Sequence, residues 1–323
     1  MINLDLKDRK ILYELDLNSR RSFNEIAKKV GLSKDSVIYR IENLKKEGII
    51  QRYHTIIDTS KLGFISFRLY LKFQNTTENR EQEIINWLKA QKNITWLVSM
   101  EGEYDLGMWI LVQNTGEMGI FWKNLLRKYG NYIESRFLTI FNKVSYFPKV
   151  FLLDKKDNSD AFVFISDSKT DAIDEKDWKI LRLLAEDARI SIVDLSGKLK
   201  MTPKTILKRM RILEERKIIL GYKTMFDLEK IGYQYFKLFI RLHNLDGKKD
   251  LGIRNFIKKH PNIIYDNEVI GGDDIELDIQ VKSLEDLRII IAEIKKNFSN
   301  IVKDYKYYLF YKEHKHLFLP VKI

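Results

Sequence analysis

The feature that most constrains this chain is that it repeats itself. Shifted by 169 positions, Asp8-Arg9-Lys10-Ile11-Leu12 falls on Asp177-Trp178-Lys179-Ile180-Leu181. The register then holds without a gap. Arg20 meets Arg189, Ser22 meets Ser191, Ser33 meets Thr202, Arg40 meets Arg209 and Leu44 meets Leu213. Further on, Ile49-Ile50 meets Ile218-Ile219, Tyr53 meets Tyr222, Asp58 meets Asp227, Gly63 meets Gly232, Gly102 meets Gly271 and Asp105 meets Asp274. A match that survives both a helical and a strand-rich region points to duplication of a whole two-domain unit. The join is expected in a polar stretch rich in Asp, Ser, Lys and Asn, with Phe162–Ile165 as a short strand inside it.

The first half of each unit reads as a helix-turn-helix. Ile11, Leu12 and Leu15 recur at helical spacing. Ser22-Phe23-Asn24-Glu25 is a capping box, and the helix that it opens carries Ile26, Ala27 and Val30 before Gly31 ends it. Ser33 caps the next helix, which has Val37, Ile41 and Leu44 on one face and stops at Gly48. Ile49 to Ile57 is β-branched and aromatic, and suits the two strands of a wing. In the second copy Thr202-Pro203 is a strong helix start, although Lys200 stands where the turn glycine was and Ser196 where the small alanine was.

The second half of each unit has the order βαββαβ, a ferredoxin-like motif. Copy one gives strands over 64–73, 94–100, 105–112 and 133–141, with helices over 78–90 and 115–129. Copy two gives strands over 235–242, 263–270, 274–281 and 302–311, with helices over 251–259 and 284–298. The fold class is therefore α+β in two tandem units. The expected divisions are a winged helix-turn-helix over 1–60, an αβ domain over 61–153, a linker over 154–173, a second winged helix-turn-helix over 174–229 and a second αβ domain over 230–323. Such a sheet covers one face with its helices, and the simplest cover for the other face is a second copy of itself.

On the third helix Val37, Ile41 and Leu44 define the buried side, which leaves Ser36, Tyr39, Arg40 and Asn43 on one flank. The second copy places Thr205, Lys208, Arg209 and Ile212 there. Arg can read guanine with two hydrogen bonds and Asn can read adenine. Lys34 and Lys204 sit near the helix N-termini, where phosphate contact is easy. A solvated helix face is the bland alternative. Its duplication inside a helix-turn-helix favours DNA.

The charge agrees: 57 Lys and Arg against 45 Asp and Glu leave a net +12, which suits a polyanionic partner. The absence of cysteine excludes disulfides and thiolate metal sites and fits a cytoplasmic location. The N-terminus runs straight into a charged amphipathic segment, and apolar runs such as Trp109–Val112 and Ile289–Ala292 are too short to cross a bilayer, so no membrane partner is expected. His314 and His316 would share a face of a strand, but no third ligand stands beside them, and neither a metal nor a cofactor is expected.

The run Asp5 to Gly63 resembles the Lrp/AsnC, or feast/famine, transcription regulators. The resemblance is carried by Leu6-Lys7-Asp8-Arg9-Lys10-Ile11-Leu12, Arg20, Ile26-Ala27, Val30-Gly31-Leu32-Ser33, Val37, Arg40-Ile41, Leu44, Gly48-Ile49-Ile50 and Gly63. The turn Gly102-Glu103-Tyr104-Asp105, and Gly271-Gly272-Asp273-Asp274 in copy two, resembles the Gly-x-x-Asp turn of that family's ligand-binding αβ domain. The resemblance implies a sequence-specific regulator that binds double-stranded DNA as a dimer or larger oligomer, with an amino-acid-like effector between αβ domains. The effector candidates are Gly102, Tyr104, Asp105, Gly271, Asp273 and Asp274. Asp105 or Asp274 would hold an ammonium group, or else would only shape a tight turn. Two units in one chain depart from the family's pattern and suggest a built-in pseudo-dimer or an oligomer formed through the αβ domains. The replacement of Tyr104 by Asp273 puts the effector in doubt. The competing readings are a non-specific architectural DNA-binding protein and an enzyme on the same architecture, such as a tetrapyrrole decarboxylase. No phosphate-cradling glycine loop or nucleophile–base constellation supports an enzyme.

Overall fold

The computed structural model describes residues 2–155, 162–165, 169–317 and 319. The first repeat contains α1 (Leu6–Leu17), α2 (Phe23–Val30), α3 (Lys34–Lys46), β1 (Ile50–Ile57), β2 (Ile65–Phe73), α4 (Glu78–Ala90), β3 (Ile94–Glu101), β4 (Leu106–Val112), α5 (Thr115–Tyr129) and β5 (Ile133–Tyr146). After β6 (Phe162–Ile165) the second repeat gives α6 (Glu175–Glu186), α7 (Ile192–Leu199), α8 (Pro203–Glu215), β7 (Ile219–Phe226), β8 (Gln234–Leu242), α9 (Gly247–Lys259), β9 (Ile263–Ile270), β10 (Ile275–Val281), α10 (Leu284–Asn297) and β11 (Val302–His316). The α+β order is as expected, and the short strand at Phe162–Ile165 is present, paired with β5. Of the expected linker, residues 156–161 and 166–168 lie outside the described residues. One start differs. Helix α9 begins at Gly247 rather than near 251, because the Asp246 carboxylate accepts from the amides of Lys248 and Lys249 and caps the helix earlier.

Local chemistry explains the helix-turn-helix ends. Ser22 and Glu25 form the reciprocal capping box, while Ser33 and Thr202 each accept from an amide three residues on. Gly31 ends α2 in the left-handed region at φ 67. Its counterpart Lys200 is forced into the same region at φ 52, so copy two keeps the turn at a backbone cost.

The αβ strands close on themselves. Around the ring the order is β5-β2-β4-β3-β11-β8-β10-β9 and back to β5, every pairing antiparallel. The closure comes from two long strands. The first part of β5 pairs with β2 of its own repeat, and its end crosses to pair with β9. Strand β11 does the converse, pairing with β8 and then with β3. The ring leaves no unpaired edge among these eight strands. Helices α4 and α5 cover one repeat's outer face through Ile84, Leu88, Phe121 and Leu125; α9 and α10 cover the other's through Ile253, Ile257, Leu287 and Ile291. Inside the ring stand Tyr70, Trp96, Tyr104, Phe239, Tyr308 and Phe310. The second copy is thus the cover that each sheet needed, and the pairing lies within one chain.

The expected two-stranded wing is not formed. Ile49 to Ile57 holds the single strand β1, and its partner is β7 of the other repeat. A hairpin is unnecessary because the duplicate supplies the complementary edge. Many contacts around this ladder are made twice, 169 positions apart. The Ser19 amide donates to the Tyr222 carbonyl, and the Ala188 amide to that of Tyr53. The Asp58 amide donates to the Ile218 carbonyl, and the Asp227 amide to that of Ile49. Thr55 Oγ1 donates to the Leu184 carbonyl, and Thr224 Oγ1 to that of Leu15. Arg20 donates to the carbonyls of Ala188 and Ile190 at 2.5 and 3.1 Å and lies over the Tyr222 ring; Arg189 donates to those of Ser19 and Arg21 and lies over Tyr53. Reciprocity of this kind is the signature of a two-fold interface. Both helix-turn-helix units therefore share one apolar core, running from Ile11, Leu12 and Ile41 to Ile180, Leu181 and Ile206.

Symmetry fails at one buried cluster. Asp16, fully buried, accepts from Lys149 Nζ at 2.9 Å and from the Lys149 amide at 2.9 Å, and Lys223 Nζ stands 3.9 Å away. Its counterpart in the second copy is Ala185, and the counterpart of Lys223 is His54.

Candidate nucleic-acid interface

Helices α3 and α8 bury Val37, Ile41 and Leu44, and Ile206, Met210 and Leu213, respectively. That fixes which flank each turns outward. On α3 Lys34 is exposed at the first turn, Tyr39 is 68% exposed, and Ser36 and Asn43 are half-buried. On α8 Lys204, Thr205 and Lys208 are exposed, and Ile212 is 38% exposed. Ser36 and Thr205 also bond the capping hydroxyls of Ser33 and Thr202, each at 2.8 Å. The α3 flank borders a groove shared with Ile2–Leu4 and edged by Asp8, Asp35 and Glu47.

The two arginines have a task that the sequence pattern did not reveal. Arg40 is ion-paired to Asp5 and Asp8, both at 2.7 Å, and Arg209 to Asp174 and Asp177, at 2.9 and 2.8 Å. Hydrogen bonds donated to those carboxylates hold both guanidinium groups even more firmly protonated than usual. Each arginine thus locks its recognition helix to the first helix of its own unit. The clue was present in the sequence: Asp5 and Asp8 precede Arg40 by 35 and 32 positions, and Asp174 and Asp177 precede Arg209 identically.

The two sensor turns are built alike, from backbone outward. Asp105 accepts from the Phe73 amide at 2.7 Å and pairs with Lys72 at 2.9 Å. Asp274 accepts from the Leu242 amide at 2.6 Å. These aspartates tie the turn to the neighbouring strand. Gly102 has φ 145, and a Cβ there would stand 2.3 Å from the Tyr308 ring. Gly271 has φ 87, and a Cβ there would make only an ordinary 3.8 Å contact with the Leu138 carbonyl oxygen. Tyr104 is buried, stacks on Tyr70 and Phe137, and its phenol is pushed up to about 12 by burial and the neighbouring Glu103. Asp273, also buried, faces Arg241 and Lys306 at 3.4 and 3.5 Å. The six effector candidates therefore lie in turns whose carboxylates already have partners.

His314 and His316 do not act together. His314 bonds Ser99 at 2.8 Å, while His316 bonds Glu313 at 2.9 Å and lies 5.5 Å from the ring of His54. Burial lowers His314 to about 4. Among the described residues no group of three or more His, Cys, Asp or Glu could hold a metal ion, and no helix is long and apolar enough to cross a membrane.

Comparison with known proteins agrees with this architecture. Residues 4–51 match the model of a winged helix-turn-helix DNA-binding domain, and residues 173–214 that of an AsnC-type helix-turn-helix domain. The chain is 34% identical over 121 residues to the HTH-type transcriptional regulator Ptr1 of Methanocaldococcus jannaschii, covering 78% of that protein and 36% of this chain. It is 34% identical over 122 residues to the transcriptional regulator AzlB of Bacillus subtilis, covering 78% of it and 38% of this chain. Each relative thus matches a length close to one repeat. Among solved structures, the siroheme decarboxylase NirDL shares the fold over 97% of this chain and 94% of its own, with a TM-score of 0.64 and 13% identity.

Proposed function

This chain belongs to the Lrp/AsnC family of helix-turn-helix transcription regulators, and on that premise we propose that it regulates transcription by binding double-stranded DNA as a pseudo-dimer made within one chain. The observation that supports the reading most is the reciprocal bonding of the two helix-turn-helix units, on which α3 and α8 would serve as the two halves of one two-fold DNA-binding surface. The outward flanks are not identical. Tyr39 and Asn43 on one helix correspond to Lys208 and Ile212 on the other. The operator is therefore an imperfect palindrome with unequal half-sites. Lys34 and Lys204 hold phosphates at the helix N-termini. Binding-site selection from random duplex DNA, with the winner titrated at two salt concentrations, tests this. A bipartite site preferred by about 10³ or more over random DNA supports it, and a perfect palindrome or the lack of any preferred site refutes it. Asn43→Ala should weaken binding at one half-site by about 1–3 kcal/mol, whereas Lys34→Ala should act uniformly and make the salt slope shallower by about 1.

An amino-acid-like effector at the sensor turns would have to bind where Asp105 and Asp274 already accept from backbone amides, with Asp273 offered through its contacts to Arg241 and Lys306. We also read the chain as a regulator and not an enzyme. The second reading, an enzyme on this fold as in the siroheme decarboxylase, draws on one observation. A cavity reaches from the β1–β7 ladder to the mouth of the strand ring and is lined by His54, Arg68 and Lys149. Failure to bind any DNA would favour it.

A further inference from the structure

The cavity under the β1–β7 ladder has a volume of about 600 Å³, the size of a small-molecule site. Its lining includes both members of four repeat-related pairs: Trp96 and Tyr265, Val98 and Asn267, Trp109 and Asp278, Val144 and Glu313. It therefore crosses the pseudo-two-fold axis as a single chamber that draws on both repeats. Its lining includes none of the sensor-turn residues Gly102–Asp105 and Gly271–Asp274.

Its chemistry is uneven in an informative way. Arg68 is 5% exposed and points from β2 into the ring, with its guanidinium between the rings of Trp96 and Phe141 at 4.6 and 4.9 Å. No hydrogen bond or ion pair to it is formed among the described residues, and its buried Nε has no partner. A guanidinium carries five donors, and leaving them unmet inside a protein is unfavourable. Asp278 and Glu276 lie near enough to keep Arg68 protonated despite its burial, but their direct bonds go to other groups. Asp278 accepts from Asn267 at 2.8 Å and faces Lys237 at 3.4 Å, and Glu276 faces Lys237 at 3.3 Å. The Oε1 of buried Gln280 also lacks a partner beside the cavity. Around these groups stand Trp109, Tyr235 and Phe310. A planar fork of donors favours a carboxylate, and flat aromatic walls favour a flat ring.

We propose that this cavity binds one small aromatic or heteroaromatic carboxylate per chain, its carboxylate held by Arg68 and its ring lying among Trp96, Trp109 and Tyr265. The site holds whether the chain acts as a regulator or as an enzyme. It uses neither the recognition helices nor the sensor turns.

The test uses the full chain and a matched pair of probes, 1-pyrenecarboxylate and its neutral amide, titrated by pyrene and tryptophan fluorescence. The carboxylate should saturate at one per chain and bind about tenfold or more tighter than the amide. Arg68→Met should remove that preference and leave amide binding within about twofold. Equal binding of the two probes, no binding of either, or a preference that survives Arg68→Met would overturn the proposal. Should Arg68→Met not fold, Met225→Trp offers a second route. Met225 is half-buried on the lining, and an indole there fills the cavity without removing a buried charge. It should abolish carboxylate binding while the thermal unfolding midpoint stays put. Carboxylate binding that persists in Met225→Trp would place the probe elsewhere and overturn the site.

Discussion

Replacing Asp16 by Asn keeps the shape of the side chain and removes its charge from between two buried ammonium groups. Lys149 lies 2.9 Å away and Lys223 3.9 Å, and all three residues are nearly or fully buried. At an effective dielectric of about 20 the attractions are roughly 6 and roughly 4 kcal/mol. Part of this is offset, because Asn does not have to be stripped of the water that solvates a carboxylate. Breaking such a pair by removing one partner costs about 3–5 kcal/mol, and Asp16→Asn should lower stability by that amount near pH 7. Urea unfolding followed by far-ultraviolet circular dichroism measures it. The difference between wild type and variant should also depend on pH at both ends. Burial opposes the charge on Asp16 but Lys149 and Lys223 outweigh it, so its folded pKa lies below the ordinary 3.8. The stabilisation is therefore fully present above the unfolded pKa and is lost as pH falls through the lower folded value. Burial, despite Asp16, brings Lys223 down from 10.5 to about 8. Above about pH 8 the folded chain sheds that proton while the unfolded chain keeps it. Wild-type stability should rise from there towards pH 10, and the gap to Asp16→Asn should narrow as one ammonium disappears. A loss under about 1 kcal/mol at pH 7, or a gap that does not change between pH 7 and 10, would show that Asp16 is not what holds these lysines.

Three further outcomes follow from the geometry. Arg20→Ala and Arg189→Ala each remove charge-assisted bonds between the two helix-turn-helix units, and each should cost about 2–3 kcal/mol in denaturant unfolding; costs that differ by more than about 1 kcal/mol would contradict the reciprocity. Gly102→Ala drives a methyl into the Tyr308 ring and should cost about 3 kcal/mol or more, against about 1–2 for Gly271→Ala, which meets backbone strain alone; the reverse order of thermal midpoints would be incompatible with the packing. Lys200→Gly relieves a left-handed lysine and should raise stability by about 1 kcal/mol, and a loss of stability would mean that the lysine side chain matters more than its backbone.

Much of this fold was legible because the periodicities are strong and occur twice. The capping residues Ser22, Ser33 and Thr202 announced helix starts that the structure keeps, and the strand–helix order of both αβ domains came through. What was hidden depends on contacts between the copies. Ile49 to Ile57 has the composition of strands, but composition does not say whether a strand turns back on itself or pairs with a duplicate, so β1 was expected to be part of a hairpin. The lengths of β5 and β11 were underestimated for the same reason, since their last turns of sequence are strand only because the opposite repeat offers an edge. At the candidate DNA face the exposed flank was visible in the helical wheel. The engagement of Arg40 with Asp5 and Asp8 was not, because it joins residues more than 30 positions apart. The buried cavity was invisible altogether: Arg68 sits in an apolar strand where alternation alone says only that it faces away from α4 and α5.

The covalent joining of the two repeats changes what substitutions are possible near the pseudo-axis. In an assembly of two identical chains every side chain is met by its own copy, so a carboxylate placed there faces a carboxylate and an indole competes with an indole for one space. Here Trp109 is answered by Asp278, Val98 by Asn267, and Arg68 by a lysine whose charge is already balanced. Each position can change alone, and a chemical asymmetry that an identical pair would suffer as repulsion or crowding becomes a lopsided chamber.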